Sequence, residues 1–231
     1  MKRSTIVSTL QTSPIFQQTS SQRLEELAKE FQSFPLEKNM SIDYTKTDKY
    51  FFIVAHGLVK MTKMDIESGR SITLFLYSQG DVFDVLPLFD QQEHDAEFSV
   101  VKDSLLIGIE ITKMRTWIKK DPNINAAFFS YLAGEIRKLE DFSENMVFYD
   151  AKTRLIKFLL KEFATKEKKS TSLLTDLTHA SLAEIIGSIR SVVTTELNKL
   201  KKDGFLIKKE GKLMLHDLEK LRKDYKHLFN N

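Results

Sequence analysis

The stretch Leu177-Thr178-His179-Ala180-Ser181-Leu182-Ala183-Glu184-Ile185-Ile186-Gly187-Ser188-Ile189-Arg190-Ser191-Val192-Val193-Thr194-Thr195-Glu196-Leu197 carries two short helical patterns that meet at a tight turn. Thr178 is a residue type that caps a helix start. Ala183 is small where a second helix must come close, and Gly187 stands four residues on, in the turn. Val193 and Leu197 return to a core shared with Leu182, Ile185 and Ile186. That spacing predicts a helix-turn-helix. Downstream, Leu200 to Phe205 ends the second helix. Phe205 to Lys209 and Lys212 to Leu215 then read as two short strands joined at Glu210-Gly211, a wing with lysines at 201, 202, 208, 209 and 212 around it.

On such a unit the second helix lies in the major groove of double-stranded DNA. Its early outward positions are Arg190, Ser191, Thr194 and Thr195. Arg190 is the expected base reader, because a guanidinium binds guanine O6 and N7 with two hydrogen bonds. Ser191, Thr194 and Thr195 reach bases or phosphates. His179 and Ser188 fit phosphate contacts, as does Lys199 one turn on. The competing reading is a winged helix that contacts protein, attached to an effector-binding module.

Charge separates this end from the rest. Residues 151–231 hold 18 Lys+Arg and 10 Asp+Glu; the whole chain holds 35 and 32, which leaves 17 and 22 for residues 1–150. A basic third behind an acidic front fits a polyanion-binding module joined to something else. Immediately upstream, Lys152 to Phe163 is amphipathic, Lys166 to Ser172 is a polar loop, and Asp150-Ala151 is a break. Before the break, Asn125 to Asp150 has no Pro, and Leu132, Ile136, Leu139, Phe142 or Ser143, and Met146 step by three and four. The seam predicts a dimerisation helix, with Leu132, Ile136, Leu139 and Met146 at the interface and a second copy of the chain as partner. Its alternative is a helix packed on its own domain.

Further forward the period changes. Phe51 to Ala55, Leu58 to Met61, Ser71 to Tyr77, Glu97 to Val101 and Ser104 to Ile109 read as short strands. They are punctuated at His56-Gly57, Ser68-Gly69, Gln79-Gly80-Asp81 and Lys102-Asp103. Such spacing predicts an antiparallel barrel or sandwich. A helix from Ser20 to Phe31 precedes it, with Leu24, Leu27, Ala28 and Phe31 on one face. The expected fold is therefore α+β. An N-terminal antiparallel β-roll or jelly-roll barrel fills residues 1–121, a long dimerisation helix residues 122–150, and a winged helix-turn-helix residues 151–231.

Composition removes several classes of function. The chain has no Cys, which excludes a disulfide, a cysteine-held iron–sulfur cluster and a thiol nucleophile. With 17 Phe and only 8 Gly and 4 Pro it is not a low-complexity chain. No nucleophile–base pairing, metal-ligand spacing, P-loop or dinucleotide fingerprint is found, so no enzyme is expected. His56, His94 and His179 are too scattered to serve as haem ligands. Residues 1–14 lack an apolar signal core and no segment approaches a membrane span, so the expected location is the cytoplasm.

The order of these pieces resembles the Crp/Fnr superfamily, whose founding members are the cyclic-AMP receptor protein and the fumarate-nitrate reductase regulator. Ser13-Pro14-Ile15-Phe16 with the following helix is similar to the family's opening segment. Tyr50 to Lys60 is similar to its glycine-centred strand pair, and Gly69 to Leu74 and Gly80 to Phe83 to its next hairpin and glycine turn. The resemblance implies a homodimeric transcription regulator that reads DNA from Arg190, Ser191 and Thr195, with RNA polymerase as a further candidate partner. Two departures stand out. Ile189 occupies the position of a polar helix cap, leaving Ser188 to cap with a one-residue shift, and Ser191 stands where a Glu is common.

The resemblance also implies a sensory pocket, and here the residues disagree with a cyclic nucleotide. The expected pocket residues are Asp81, Phe83, His94 and Asp95 in the barrel, with Leu139 and Glu140 on the long helix. His94 stands where the family places a phosphate-binding Arg, Asp95 replaces a hydroxyl residue, and the ribose Glu is shortened to Asp81. A carboxylate a few Å from a phosphate is repelled by about a few kcal/mol. Cyclic AMP is therefore not the expected effector and no cofactor is predicted. Either another small molecule fills the barrel, or its own Phe52, Phe75, Phe83, Phe89 and Phe98 do.

Overall fold

The computed structural model describes residues 3–43, 48–164, 176–209 and 212–229. The expected loop at Lys166–Ser172 and the wing turn Glu210-Gly211 lie outside them. The chain divides into two compact units, residues 1–63 with 74–140, and residues 64–73 with 141–231.

In the first unit, α1 (Arg3–Thr12) and α2 (Ser21–Leu27) precede β1 (Gln32–Leu36), β2 (Ser41–Ile42), β3 (Tyr50–Asp65), β4 (Arg70–Tyr77) and β5 (Val82–Phe83). Then come α3 (Leu86–Asp90), β6 (Glu97–Glu110), α4 (Ile111–Lys120) and α5 (Pro122–Phe148), the last of which runs past the division between units. The strands run in the order β1-β6-β3-β4, with β2 on β6 and β5 on β3; the pairs β1–β6, β2–β6, β3–β5 and β3–β6 are antiparallel. Side chains alternate across a strand, which gives β3 and β6 two apolar faces. Phe51, Ile53, Ala55, Ile107 and Ile109 join the buried residues of α1, α2, α4 and α5. Phe52, Val54 and Leu106 face the other way, into an aromatic cluster with Tyr77, Phe83 and Phe98. Burial on both faces explains why Phe51 to Ala55 is a continuous apolar run.

Two expectations for this unit change, and one helix on which the sequence made no prediction is added. His56-Gly57 and Lys102-Asp103 do not separate strands. Each lies inside one long strand, where the β3–β6 register slips between Val54 and Val59. Gly57 has φ +110°, and a Cβ there would overlap the Ser104 side chain. Ser104 Oγ accepts from Leu58 N at 3.0 Å and donates to the Lys102 carbonyl at 2.6 Å, which closes the irregularity. A bulge and a hairpin turn use the same glycine-and-polar vocabulary, so the local sequence did not separate them. Residues 3–12 form the added helix, because Ile6, Thr9 and Leu10 bury one face, each large apolar side chain contributing about 1.5–3 kcal/mol. Second, α2 stops at Leu27, although Leu24, Leu27, Ala28 and Phe31 are all buried as expected and Ser20 Oγ caps the helix from 3.4 Å.

In the second unit, α6 (Ala151–Ala164), α7 (His179–Ile185) and α8 (Arg190–Lys202) lead into β7 (Leu206–Lys209), β8 (Lys212–Leu215), α9 (Leu218–Asp224) and a 3₁₀ turn (Lys226–Phe229). Asp150 follows the last turn of α5, and its Oδ1 accepts from Thr153 N at 2.8 Å. That is an N-cap bond for α6, and the two bonds from Thr153 hold the carboxyl below its usual range. Leu155, Ile156, Leu159 and Leu160 of α6 are buried with Leu182, Ala183, Ile186, Val193, Leu197 and Leu200. Ile185, expected in this core, is only partly buried. β7 and β8 pair antiparallel from Leu206↔Leu215 to Lys209↔Lys212. Helix α9, unforeseen in the sequence, closes the unit by burying Leu221.

Candidate nucleic-acid interface and sensory pocket

Helix α7 starts at a Thr178 cap whose Oγ1 accepts from Ser181 N at 3.0 Å. It ends at Ile186, and Gly187 turns the chain with φ +59°. A Cβ on Gly187 would also stand 2.6 Å from the Met146 sulfur, so glycine is required twice over. Helix α8 then begins at Ile189, which is extended (φ −112°, ψ 152°) and makes no side-chain cap. The cap expected from Ser188 does not form; the Ser188 amide instead bonds the Ala183 carbonyl at 2.8 Å. An uncapped first turn presents backbone N–H donors and the positive end of the helix dipole to solvent.

The predicted DNA-contact residues gather here. Arg190, Ser191, Thr195 and Lys199 are exposed, and Ser188, Thr194 and His179 partly buried. Thr178, His179, Ala180 and Arg190 line a recess of about 480 Å³. His179 Nδ1 lies 2.9 Å from Thr194 Oγ1, and that hydroxyl also bonds the Arg190 carbonyl at 2.9 Å. Thr195 Oγ1 donates to the Ser191 carbonyl at 3.0 Å. Burial, then the nearby Lys201 and Arg190 charges, hold the His179 imidazole below its ordinary 6.5. Lys199 is tied to Glu196 at 2.7 Å, which occupies its charge within the helix. The side chains of Lys208, Lys209 and Lys212 are outside the described residues.

Sequence reasoning passed over Arg154. Its guanidinium lies in the first turn of α6. Nε donates to the Ile186 carbonyl at 2.6 Å, Nη1 to Tyr149 at 2.7 Å and Nη2 to Gly187 at 3.1 Å. Nothing in an isolated α6 pattern points to carbonyls 32 and 33 residues away.

The sensory residues do not converge as expected. Asp81 closes its own turn, with Oδ2 accepting from Ser78 N at 2.7 Å and Ser78 Oγ at 3.1 Å. Asp95 is fully exposed and pairs with Lys63 at 3.2 Å. Leu139 and Glu140 sit on an exposed stretch of α5. His94 meets Asp84, a residue absent from the expected pocket, with Nδ1 2.6 Å from Oδ1. Asp84 has φ +54°, its side chain is 1% exposed, and Oδ2 has no hydrogen-bond partner among the described residues. The left-handed backbone that aims it inward leaves no signature in the sequence. Phe83 is buried, stacked on Phe52 at 5.5 Å and beside Phe98 at 5.3 Å. Phe52, Phe83 and Phe98 thus lie inside and Phe75 stacks on Tyr77, but Phe89 packs on Phe128 of α5 and is 43% exposed.

On α5, Leu132 packs against the first unit's core, Ile136 and Leu139 are 58% and 39% exposed, and Met146 touches Gly187. Phe129, overlooked in the sequence, extends the same three–four spacing and is 69% exposed. Among the described residues no group of three or more His, Cys, Asp or Glu side chains is arranged to hold a metal, and no helix is long and apolar enough to cross a membrane.

Comparison with known proteins agrees with both units. The family model of the Crp-like helix-turn-helix domain matches residues 153–224, and that of the cyclic nucleotide-binding domain matches residues 43–121. The chain is 25% identical over 213 residues to a CRP-like cAMP-activated global transcriptional regulator of Mycobacterium tuberculosis, covering 90% of this chain and 94% of that one. It is also 25% identical over 191 residues to a global nitrogen regulator of Synechocystis, covering 80% and 84%. The fold is similar to FixK2 from Bradyrhizobium japonicum (TM-score 0.72, 19% identity, 84% and 96% covered). It is likewise similar to the c-di-GMP responsive global regulator CLP of Xanthomonas campestris (TM-score 0.71, 16% identity, 86% and 100% covered).

Proposed function

Because the chain belongs to the Crp/Fnr superfamily of DNA-binding transcription regulators, we propose that it reads a near-palindromic DNA site as a homodimer through α8, without gating by cyclic AMP. The observation that carries the reading is the start of α8. There an uncapped helix N-terminus, the exposed Arg190 and Ser191, and the partly buried His179–Thr194 pair lie together. Arg190 reads a base edge, while Ser191, Thr194 and Thr195 contact bases or adjacent phosphates. His179, Ser188 and the first amides of α8 hold the phosphate backbone, which fixes register and orientation. Lys199, one turn further on, meets the phosphate backbone by exchanging its Glu196 partner for it.

Dimerisation is supported by the α5 seam. Phe129, Leu132, Ile136, Leu139, Ser143 and Met146 alternate by three and four residues, as knobs of a two-helix coiled coil do. A second copy on this seam would set two α8 helices about 34 Å apart, one per half-site. The role is that of a regulator rather than an enzyme, acting where DNA is, in the cytoplasm, with RNA polymerase as its partner at the promoter.

The case against cyclic AMP rests on Asp84 and His94. The one imidazole that stands where a phosphate would need a cation is taken up by a buried carboxylate, and Phe83 fills the space beside it with aromatic packing. The relatives themselves differ in the nucleotide their names carry, cAMP in one and c-di-GMP in another, so likeness alone assigns no effector.

The test is selection of DNA sites from a random pool by the purified protein with no ligand added, followed by a salt titration. A recovered palindrome whose binding constant falls steeply with salt is expected, since each phosphate contact releases counterions. Binding that is flat with salt, or no enrichment from folded protein with or without added cyclic nucleotides, would point to a C-terminal unit that contacts protein instead.

A further inference from the structure

We infer that Arg154 is a positioning residue that fastens the helix-turn-helix to the end of α5, so that the placement of α8 follows the last turn of that helix. The inference rests on the DNA-binding reading above. Its geometry is independent of it.

Three nitrogens of one planar guanidinium are used on three backbone carbonyls. The Ile186 and Gly187 carbonyls belong to the end of α7 and the turn that aims α8. The Tyr149 carbonyl belongs to the segment between α5 and α6. All three lie at or just past helix C-termini, where carbonyls lack intrahelical donors and partial negative charge accumulates. A guanidinium suits this triad. Its donors form a rigid fork, it is charged at all accessible pH, and it is weakly hydrated enough to sit partly buried. Two further contacts brace the same point. Met146, in the last turn of α5, lies against Gly187. Lys157 Nζ stacks over the Tyr149 ring at 4.0 Å. The turn is therefore held by Met146 at the end of α5 and by Arg154 in the first turn of α6, which also binds the Tyr149 carbonyl just past α5.

The consequence concerns α8 as a DNA reader. If the turn is fixed to α5, a shift or twist of that helix end is passed directly to Arg190 and Ser191. If it is not fixed, α7 and α8 can rock on their apolar core while remaining folded.

The experiment compares Arg154→Lys and Arg154→Met with the parent by DNA affinity on the selected site, dimer mass and amide hydrogen exchange. Lysine keeps the charge but cannot serve three carbonyls, and methionine keeps the apolar stem. Both variants are expected to stay helical and dimeric. Their affinity should fall by roughly tenfold or more, as expected for losing charge-assisted hydrogen bonds. Exchange should quicken over residues 183–194 while residues 155–160 keep their protection. Affinity within about twofold of the parent with unchanged exchange overturns the inference. So does exchange that quickens uniformly, which would make Arg154 merely structural. A parent that binds no DNA would sink the DNA-binding reading alone, because the local exchange pattern reports the clamp without DNA.

Discussion

Arg190 stands exposed in the first turn of α8, and no hydrogen bond or ion pair within the described residues is assigned to its guanidinium, which leaves the group presented for a base edge. Arg190→Ala should weaken binding to the selected site by about 1–3 kcal/mol and relax preference at a single base pair, measured by titration against a set of single-base variants of that site. An unchanged profile would remove Arg190 from the base-reading role. His179 supplies the pH dependence. In the free protein burial and two cationic neighbours favour the neutral ring, so its contribution to folding is present above pH 6.5 and is lost as the pH falls through the lowered value. A phosphate beside it favours the charged ring, so binding takes up a proton. DNA affinity should rise as the pH falls below about 6.5, and His179→Gln should flatten that slope. Equal slopes for the two proteins would show that His179 does not meet phosphate. Arg190 and His179 could be nominated from the sequence because helical period and an outward position suffice for that. Asp84 and Arg154 could not, since what matters in each is a partner 10 or more residues away and, for Asp84, a backbone angle.

Among the elements, α5 shows where pattern reading is strong and where it stops. The three–four spacing gave a long helix, and the helix runs from Pro122 to Phe148. Which of its apolar residues stay exposed was decided by neighbours. Leu132 and Met146 found partners within the chain, while Phe129, Ile136 and Leu139 stay 69%, 58% and 39% exposed. Ile136→Asp should therefore spare the fold and weaken self-association by about a hundredfold or more, because each dimer would bury two unpaired carboxylates. Sedimentation of the variant as a dimer at parental concentration would remove this seam from the interface. The strands β3 and β6 make the complementary point. Each was read as two short strands, because Gly57 and Lys102-Asp103 look like turns in isolation. The pairing partner alone converts them into irregularities within one ladder.

For the whole molecule, a basic helix-turn-helix unit follows a unit that matches the cyclic nucleotide-binding domain and whose interior holds its own aromatic side chains and a histidine–carboxylate pair. Adding cyclic AMP should change neither the thermal midpoint nor the DNA affinity of the purified protein, as judged by calorimetry and by binding to the selected site. A midpoint that climbs with nucleotide concentration, as ligand linkage requires, would restore the nucleotide to the pocket. The sequence by itself determined the α+β class, the order of the units and the long helix, and it nominated a DNA-reading face, because periodicity, capping residues and charge are local and survive in a one-dimensional reading. Only the tertiary structure decided that two pairs of strands are single bent ones, that Asp84 and not Asp81 or Asp95 meets His94, and that Arg154 holds the recognition turn. Each of these depends on groups distant in sequence being brought within hydrogen-bond distance, and that convergence is a property of the packed chain rather than of any segment of it.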